Sequence, residues 1–220
     1  IATDVDLTTI TKIEEQKVGL TGVIIDTEPI RYYPYKDLAT HVLGYVGEIN
    51  EKELEKKKKE GKDYQIGDII GKMGIEQCLD EELKGVRGGK RVEVDVKGNL
   101  ISTQGEVITT PGNQVKLTID LKVQQAAENG LVEIMDTISR QYPNAKTGAV
   151  VAMDVNTGEI LALASKPGFD LNLFAGRMTP EQLNEINNNP LKPYNNRAIS
   201  SAYPPGSTFK PITALAGLRK

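Results

Sequence analysis

Apolar and polar positions along the chain follow two periods, and together they predict short helices interspersed with strands. Residues 8–18 (TTITKIEEQKV) predict a helix ending before Gly19, and the β-branched run 22–27 (GVIIDT) predicts a strand. Arg31-Tyr32-Tyr33-Pro34-Tyr35 predicts a loop, because Pro34 disfavours helix at Tyr33. The apolar run 38–46 predicts a short helix with a strand-like end. Asn50, with Glu53 three positions on, predicts a helix start closed by a capping box. That helix carries Lys56-Lys57-Lys58-Lys59. Glu51, Glu53, Glu55 and Glu60 interleave with the lysines, so the run reads as a solvated face rather than an anion-binding patch. Residues 67–74 predict a glycine-punctuated loop, and 75–84 a helix closed by Gly85. Ile75, Cys78, Leu79 and Leu83 fall at helical spacing there, which makes Cys78 core filler.

Further on, 90–96 (KRVEVDV) alternate as a half-buried strand, 97–99 turn it, and 100–103 pair back. Thr109-Thr110-Pro111-Gly112-Asn113 predicts a linker. A strand is expected at 116–119. Asp120 then caps a helix over 121–140 with Ala127, Leu131, Ile134 and Ile138 as its apolar stripe. Residues 148–154 and 159–165 predict a buried hairpin turned by Asn156-Thr157-Gly158. Thr179-Pro180-Glu181-Gln182 is a capping box with proline at the first helical position. The expected fold class is therefore α+β, with a first domain at 1–111 and a second at 112–220.

Composition changes this picture mainly by exclusion. With 220 residues, 39% hydrophobic and 26% charged, the chain is globular rather than disordered. A net charge of −3, from 27 basic and 30 acidic residues without a basic stripe, argues against nucleic acid as a partner. One cysteine excludes an internal disulfide, and one histidine excludes a multi-histidine metal centre. His41 sits in an apolar run and reads as a satisfied histidine rather than a ligand. Tyr32, Tyr33 and Tyr35 read as loop packing before sugar stacking. No stretch approaches the length of a membrane span. The opening at Ile1, without an initiator methionine or a signal peptide, leaves room for an upstream membrane anchor.

The chemistry concentrates at Ser207 and Lys210. Serine needs a base to become a nucleophile, and with His41 far upstream a lysine is the better candidate. The Pro204-Pro205-Gly206 break puts Ser207 at a helix start, with Lys210 on the same face. There the helix dipole and burial would both lower the lysine toward a usable base, and free backbone N–H groups could face an oxyanion. A bare S-x-x-K is common, and an ordinary capped helix start would use the same residues. The surrounding YPPGSTFKP is far rarer.

YPPGSTFKP resembles the active-site serine motif of the penicillin-binding proteins, the D,D-transpeptidases that cross-link peptidoglycan. The resemblance runs along nearly the whole chain. GAVVAMDVNTGEILALASKPGFDLN resembles that family's first transpeptidase hairpin, LTIDLKVQQAAE the opening strand and helix, and Asn196-Arg197-Ala198 the segment before the serine. RYYPY, HVLGYVGEIN and GDIIGKMGIEQCLDEELKGVRG resemble the pedestal, or dimerisation-type domain, of the monofunctional class B members. The resemblance implies that Arg31, Glu76, Gly85 and Gly88 tie the pedestal together, and that Asn196 and Arg197 hold the loop before the serine. It implies that Ser207 attacks the penultimate D-Ala carbonyl of a stem peptide while Lys210 takes its proton, and that penicillin acylates the same serine. Two departures are Thr21 in LTGV and Leu171 in FDLN, where the family usually has proline, so loop rigidity is in question at both.

The second domain is expected to be an incomplete serine transpeptidase/β-lactamase-like domain. No S-x-N occurs, Lys146-Thr147-Gly148 precedes Ser207 where the family's K-T-G follows it, and only 10 residues (220 − 210) follow Lys210. These 220 residues alone are accordingly expected not to turn over substrate. No cofactor or metal is implied. The implied partners are stem peptides ending in D-Ala-D-Ala, β-lactams, a SEDS-type glycan polymerase and membrane scaffold proteins, and the implied location is the outer face of the cytoplasmic membrane. Two alternatives stand beside this reading. One is a class D-type β-lactamase or penicillin sensor, whose serine motif also ends in STFK. The other is a non-catalytic interaction module for cell-wall synthesis.

Overall fold

A computed structural model describes residues 5–16, 19, 20, 23, 25, 30–86, 88–94, 100–176 and 178–219. The chain forms two compact units: Ile1–Tyr32 with Val46–Lys116, and Tyr33–Tyr45 with Leu117–Lys220. A linear boundary at 111 does not follow these units. Residues 33–45 pack with the second unit, and the first continues to Lys116. In chain order the elements begin with α1 (Leu7–Glu15), α2 (Thr40–Leu43), β1 (Val46–Glu48), α3 (Glu51–Lys59), β2 (Ile69–Gly71), α4 (Gly74–Cys78) and α5 (Asp80–Leu83). They continue with β3 (Gly89–Val94), β4 (Leu100–Val107), α6 (Leu121–Ser139), β5 (Gly148–Met153), β6 (Ile160–Lys166) and α7 (Asn172–Ala175). Last come α8 (Pro180–Asn187), α9 (Arg197–Ser200), a 3-10 turn (Gly206–Phe209) and α10 (Lys210–Leu218). No helix among the described residues is long and apolar enough to cross a membrane.

In the first unit, Asp6 caps α1 by accepting from Thr9 N at 2.6 Å. Most of the strand expected at 22–27 lies outside the described residues, as do Thr21 and the turn at 97–99. Asn50 and Glu53 form the expected reciprocal capping box on α3, 3.0 and 2.9 Å. Leu54 turns inward from α3 onto Ile49, Tyr64 and Ile70. The glycine-rich stretch after residue 67 is partly a strand, since β2 pairs antiparallel with β1.

The helix expected at 75–84 breaks at Leu79 (φ −114°, ψ 27°) into α4 and α5. The break changes which face is buried. Glu76 and Asp80 point inward and Cys78 is exposed, so Cys78 is not core filler. Asp80 accepts from Gly71 N, Lys57 Nζ and Tyr64 OH at 2.9, 2.9 and 2.6 Å. Tyr64 OH also lies 2.7 Å from Glu81 Oε1, and Lys84 Nζ sits 3.7 Å from the centre of the Tyr64 ring. Burial by itself would raise the Asp80 carboxyl, but these three donors hold it below the usual aspartate range. β3 and β4 form an antiparallel pair with two register shifts, longer than the sequence pattern predicts.

The Thr109–Asn113 stretch is fastened rather than free. Thr110 and Val86 exchange backbone bonds at 2.8 and 3.0 Å, and Asn113 N donates to Glu82 O at 2.7 Å. Gly85 makes this closure possible. Its φ is +67°, and a Cβ there would lie 2.3 Å from Thr110 O.

The second unit is built on α6 and the β5–β6 hairpin. Asp120 caps α6 by accepting from Lys122 N and Val123 N. The hairpin pairs Gly148 with Lys166 through Ala152 with Ala162, with one register shift before Met153. No strand forms at 116–119. Instead Thr118 Oγ1 donates to Ile160 O and Asp120 N to Leu161 O, which lays the segment beside β6. The buried face of α6 also differs from the predicted stripe. Gln124 and Glu128 are buried, whereas Ile134 and Ile138 are 58% and 42% exposed.

Tyr33–Tyr45 joins this unit through backbone clamps. Asn172 Nδ2 donates to Tyr33 O, and its Oδ1 accepts from Tyr33 N, both at 2.9 Å. Leu171 N donates to Lys36 O at 3.3 Å, a bond that proline could not make, and the Leu171 side chain is fully buried. This loop is therefore anchored without the family's usual proline. Tyr45, Phe169, Phe174 and Tyr194 stack at centroid distances of 4.1–6.2 Å and form the aromatic core of the unit.

Candidate active site

Pro204 and Pro205 lack the N–H a helix ladder needs, and with Pro205 at φ −69°, ψ −24° and Gly206 at φ +57° the chain re-enters helical structure at Gly206. It does so through a 3-10 turn, in which Lys210 N–H donates to Ser207 O. Ser207 lies in that turn, and Lys210, which closes it through this backbone bond, opens α10. Thr208 Oγ1 donates back to Pro205 O and fastens the turn to the proline arm. All of 202–219 is exposed. Lys210 is among these exposed residues.

The arm is held from behind. Arg197 is buried, and its guanidinium donates to three carbonyls: Lys192 at 3.3 Å, Asn195 at 3.4 Å, and Leu191. Its backbone N–H donates to Ser165 Oγ at 3.0 Å, and that hydroxyl donates to Asn195 O at 3.2 Å. Asn195 Nδ2 donates to Ser201 Oγ at 3.2 Å. Asn196 caps α9 through its backbone position, without a side-chain capping bond. A recess of about 350 Å³, lined by Gly148, Ala149, Val151, Arg197, Ala198, Ser201 and Tyr203, opens beside this arm.

Beneath lies a polar network that sequence patterning missed. Lys166 Nζ is 2.7 Å from Glu128 Oε2 and 3.2 Å from Asp37 Oδ2. Glu128 Oε1 accepts from Ala39 N and Gln124 Nε2 at 2.7 and 2.8 Å. Gln124 Oε1 accepts from Leu163 N at 2.8 Å. Burial alone would lower the Lys166 ammonium, but the two carboxylates outweigh it and hold the group above the usual lysine range. His41 is buried, its Nε2 donates to Pro193 O at 2.7 Å, and burial pushes the ring below the usual histidine range. It is a satisfied packing residue. The one sequence signal for the network is Gln124 and Glu128, four apart on α6 among apolar neighbours.

In the first unit, Arg31 Nη2 donates to Glu76 Oε2 at 2.8 Å. Its Nε lies 2.8 Å from Oε1, within ion-pair reach though off its own N–H direction. Gly85 closes on Thr110 as described above. Gly88 is half-buried just before β3. Lys146-Thr147-Gly148 leads into β5, and Gly148 lies so close under α6 that a Cβ would meet Leu131 Cδ1 at 2.8 Å. Ser207 thus lies in the 3-10 turn and Lys210 at the start of α10, joined by one backbone bond, while Asn196 and Arg197 open α9 in the arm that precedes them.

Comparison with known proteins places these features. Residues 1–117 match the family described as the penicillin-binding protein dimerisation domain, and residues 148–220 match the penicillin-binding protein transpeptidase domain. The peptidoglycan D,D-transpeptidase MrdA of Acinetobacter baumannii is 40% identical over 212 residues, covering 96% of this chain and 29% of that protein. MrdA of Escherichia coli (strain K12) is 38% identical over 199 residues, covering 90% of this chain and 30% of that protein. The chain therefore spans less than a third of the length of these relatives. Among solved structures, the complex between Penicillin-Binding Protein (PBP2) and MreC from Helicobacter pylori matches with TM-score 0.76 at 28% identity, covering 100% of this chain and 38% of that one. A structure described as the structural coordination of polymerization and crosslinking by a peptidoglycan synthase complex matches with TM-score 0.77 at 35% identity, with the same coverage.

Proposed function

Because the chain belongs to the penicillin-binding protein family, we propose that it supplies the pedestal and the nucleophile segment of a peptidoglycan D,D-transpeptidase. The observation that carries this is the backbone bond from Lys210 N–H to Ser207 O, which joins the 3-10 turn holding Ser207 to the start of α10 behind a double-proline arm. In the reaction, Lys210 accepts the Ser207 proton. Ser207 Oγ bonds to the penultimate D-Ala carbonyl carbon of a stem peptide, and the terminal D-Ala leaves with a proton. An amine of a second stem peptide then attacks the acyl-serine, which forms the cross-link and returns the proton to the serine. A β-lactam enters at the first step and stays bonded to Ser207.

The match of residues 1–117 to the dimerisation domain weighs against a β-lactamase or a penicillin sensor. It also favours a second role for the first unit as a docking platform. The similar PBP2 of Helicobacter pylori was solved with MreC, and another neighbour belongs to a peptidoglycan synthase complex. We assign comparable partners here, a scaffold protein and a SEDS-type polymerase, at the outer face of the cytoplasmic membrane.

The test is covalent labelling of the full-length protein by a fluorescent penicillin. One label per molecule, located on Ser207 by peptide mapping and lost in Ser207→Ala, is expected. Labelling retained in Ser207→Ala would overturn the assignment.

A further inference from the structure

The mechanism needs Ser207 Oγ held to within a fraction of an ångström of its target. Part of that rigidity can enter from the residues that lead into it. Pro204 and Pro205 stiffen the last stretch, so whatever fixes the start of that arm bears on where the nucleophile stands. The start is a knot around one buried hydroxyl. Ser165, only 4% exposed on β6, uses its single O–H to donate to Asn195 O at 3.2 Å and a lone pair to accept from Arg197 N at 3.0 Å. It thereby joins the strand to the first residue of α9, and Asn195 in turn holds Ser201 at the end of that helix.

We propose that Ser165 is a positioning residue for the Ser207 nucleophile: its hydroxyl sets where the arm leaves the β5–β6 hairpin, and through the two prolines where Ser207 stands. The inference rests on the acyl-serine reading above. Ser165→Ala takes the acceptor from the Arg197 N–H and leaves the Asn195 carbonyl only the longer bond from the Arg197 guanidinium at 3.4 Å, so the arm drifts while the hairpin, held by its own ladder, stays.

The experiment is acylation kinetics of the full-length protein with a fluorescent penicillin, resolved into rate constant at saturation, half-saturating concentration and final amplitude. Ser165→Ala and Ser165→Cys, the latter keeping most of the volume but little of the hydrogen bonding, are expected to slow acylation about 10- to 100-fold. Amplitude and half-saturating concentration stay at the parent's values, and Ser165→Thr, which keeps the hydroxyl, regains most of the rate. Acylation of Ser165→Ala or Ser165→Cys at the parent's rate would overturn the inference. So would a fall in amplitude at an unchanged rate, which is the mark of a merely structural residue. A parent protein that takes no label on Ser207 would overturn the acyl-serine reading and this inference with it.

Discussion

Asn172 and Tyr33, 139 positions apart, meet as side chain against backbone, with the amide of Asn172 pairing both the N–H and the C=O of Tyr33 at 2.9 Å. The geometry copies one rung of a strand ladder and pins the start of the 33–45 segment to the loop after β6. Removing the amide takes one bond from each of these two part-buried backbone groups, while the Tyr33 carbonyl keeps its bond from Lys36 N at 3.1 Å. Asn172→Ala is expected to cost about 1–3 kcal/mol. Asn172→Asp is expected to do no better, because a carboxylate would face the Tyr33 carbonyl. Urea midpoints of the three proteins check this. A loss below about 0.5 kcal/mol, the level of an ordinary surface change, would mean the clamp contributes nothing.

The Arg31–Glu76 pair makes a different prediction, because its two halves are unequally buried. The Glu76 side chain is 10% exposed and that of Arg31 37%. Taking away the arginine leaves a mostly buried carboxylate. After allowance for solvent screening on the arginine side, Arg31→Met is expected to cost about 1–2 kcal/mol. Adding Glu76→Gln should recover part of that loss. A double-mutant cycle on thermal unfolding measures the coupling, and strict additivity would show that the pair carries no interaction energy.

At Gly85 the constraint is steric and conformational together. With φ at +67° and Thr110 O 2.3 Å from where a Cβ would stand, Gly85→Ala must shift backbone on one side or the other. The expected cost is more than about 2 kcal/mol, with loss of the protection from hydrogen exchange at the Val86 and Thr110 amides. Normal protection at both amides would show that the closure does not depend on this glycine.

Local signals carried well where the physics is local. Both capping boxes, the Asp120 cap and the Asn156-Thr157-Gly158 hairpin are legible because each is complete within a few residues. The failures have long-range causes. Cys78 matches a helical stripe, but the helix breaks at Leu79, Cys78 is exposed, and Asp80 is buried among three donors from α3, residue 64 and β2. The predicted stripe on α6 runs through Ile134 and Ile138, while the packed face holds Gln124 and Glu128, whose partners include Lys166 and backbone groups at 39 and 163. The attachment of 33–45 to the second unit depends on contacts more than a hundred residues away, which no window along the sequence contains. Ser207 and Lys210 can be named from the sequence because S-x-x-K is contiguous, whereas Ser165 carries no local signal, its partners Asn195 and Arg197 lying 30 and 32 positions on.

His41 provides a pH-dependent test of the same unit. Its Nε2–H donates to Pro193 O, and the charged groups acting on the ring are Arg197, Glu128 and Lys166. Burial dominates and holds the folded-state ring below the usual histidine value of about 6.5. In the unfolded chain the imidazole takes up a proton as pH falls through that value, while the folded protein still refuses it. The unfolded state then binds more protons, so stability must fall as pH drops below about 6.5 and must be fully present above it. For one group the slope is at most about 1.4 kcal/mol per pH unit. The carboxylates held low, Asp80 among them, begin to matter only at more acidic pH, so this window belongs to His41. His41→Gln, whose amide nitrogen can also donate to Pro193 O, is expected to flatten the dependence between about pH 7 and 5.5 while leaving stability at neutral pH within about 1 kcal/mol. Urea unfolding across that range measures it. An unchanged slope in His41→Gln would show that the ring titrates alike in the folded and unfolded chains.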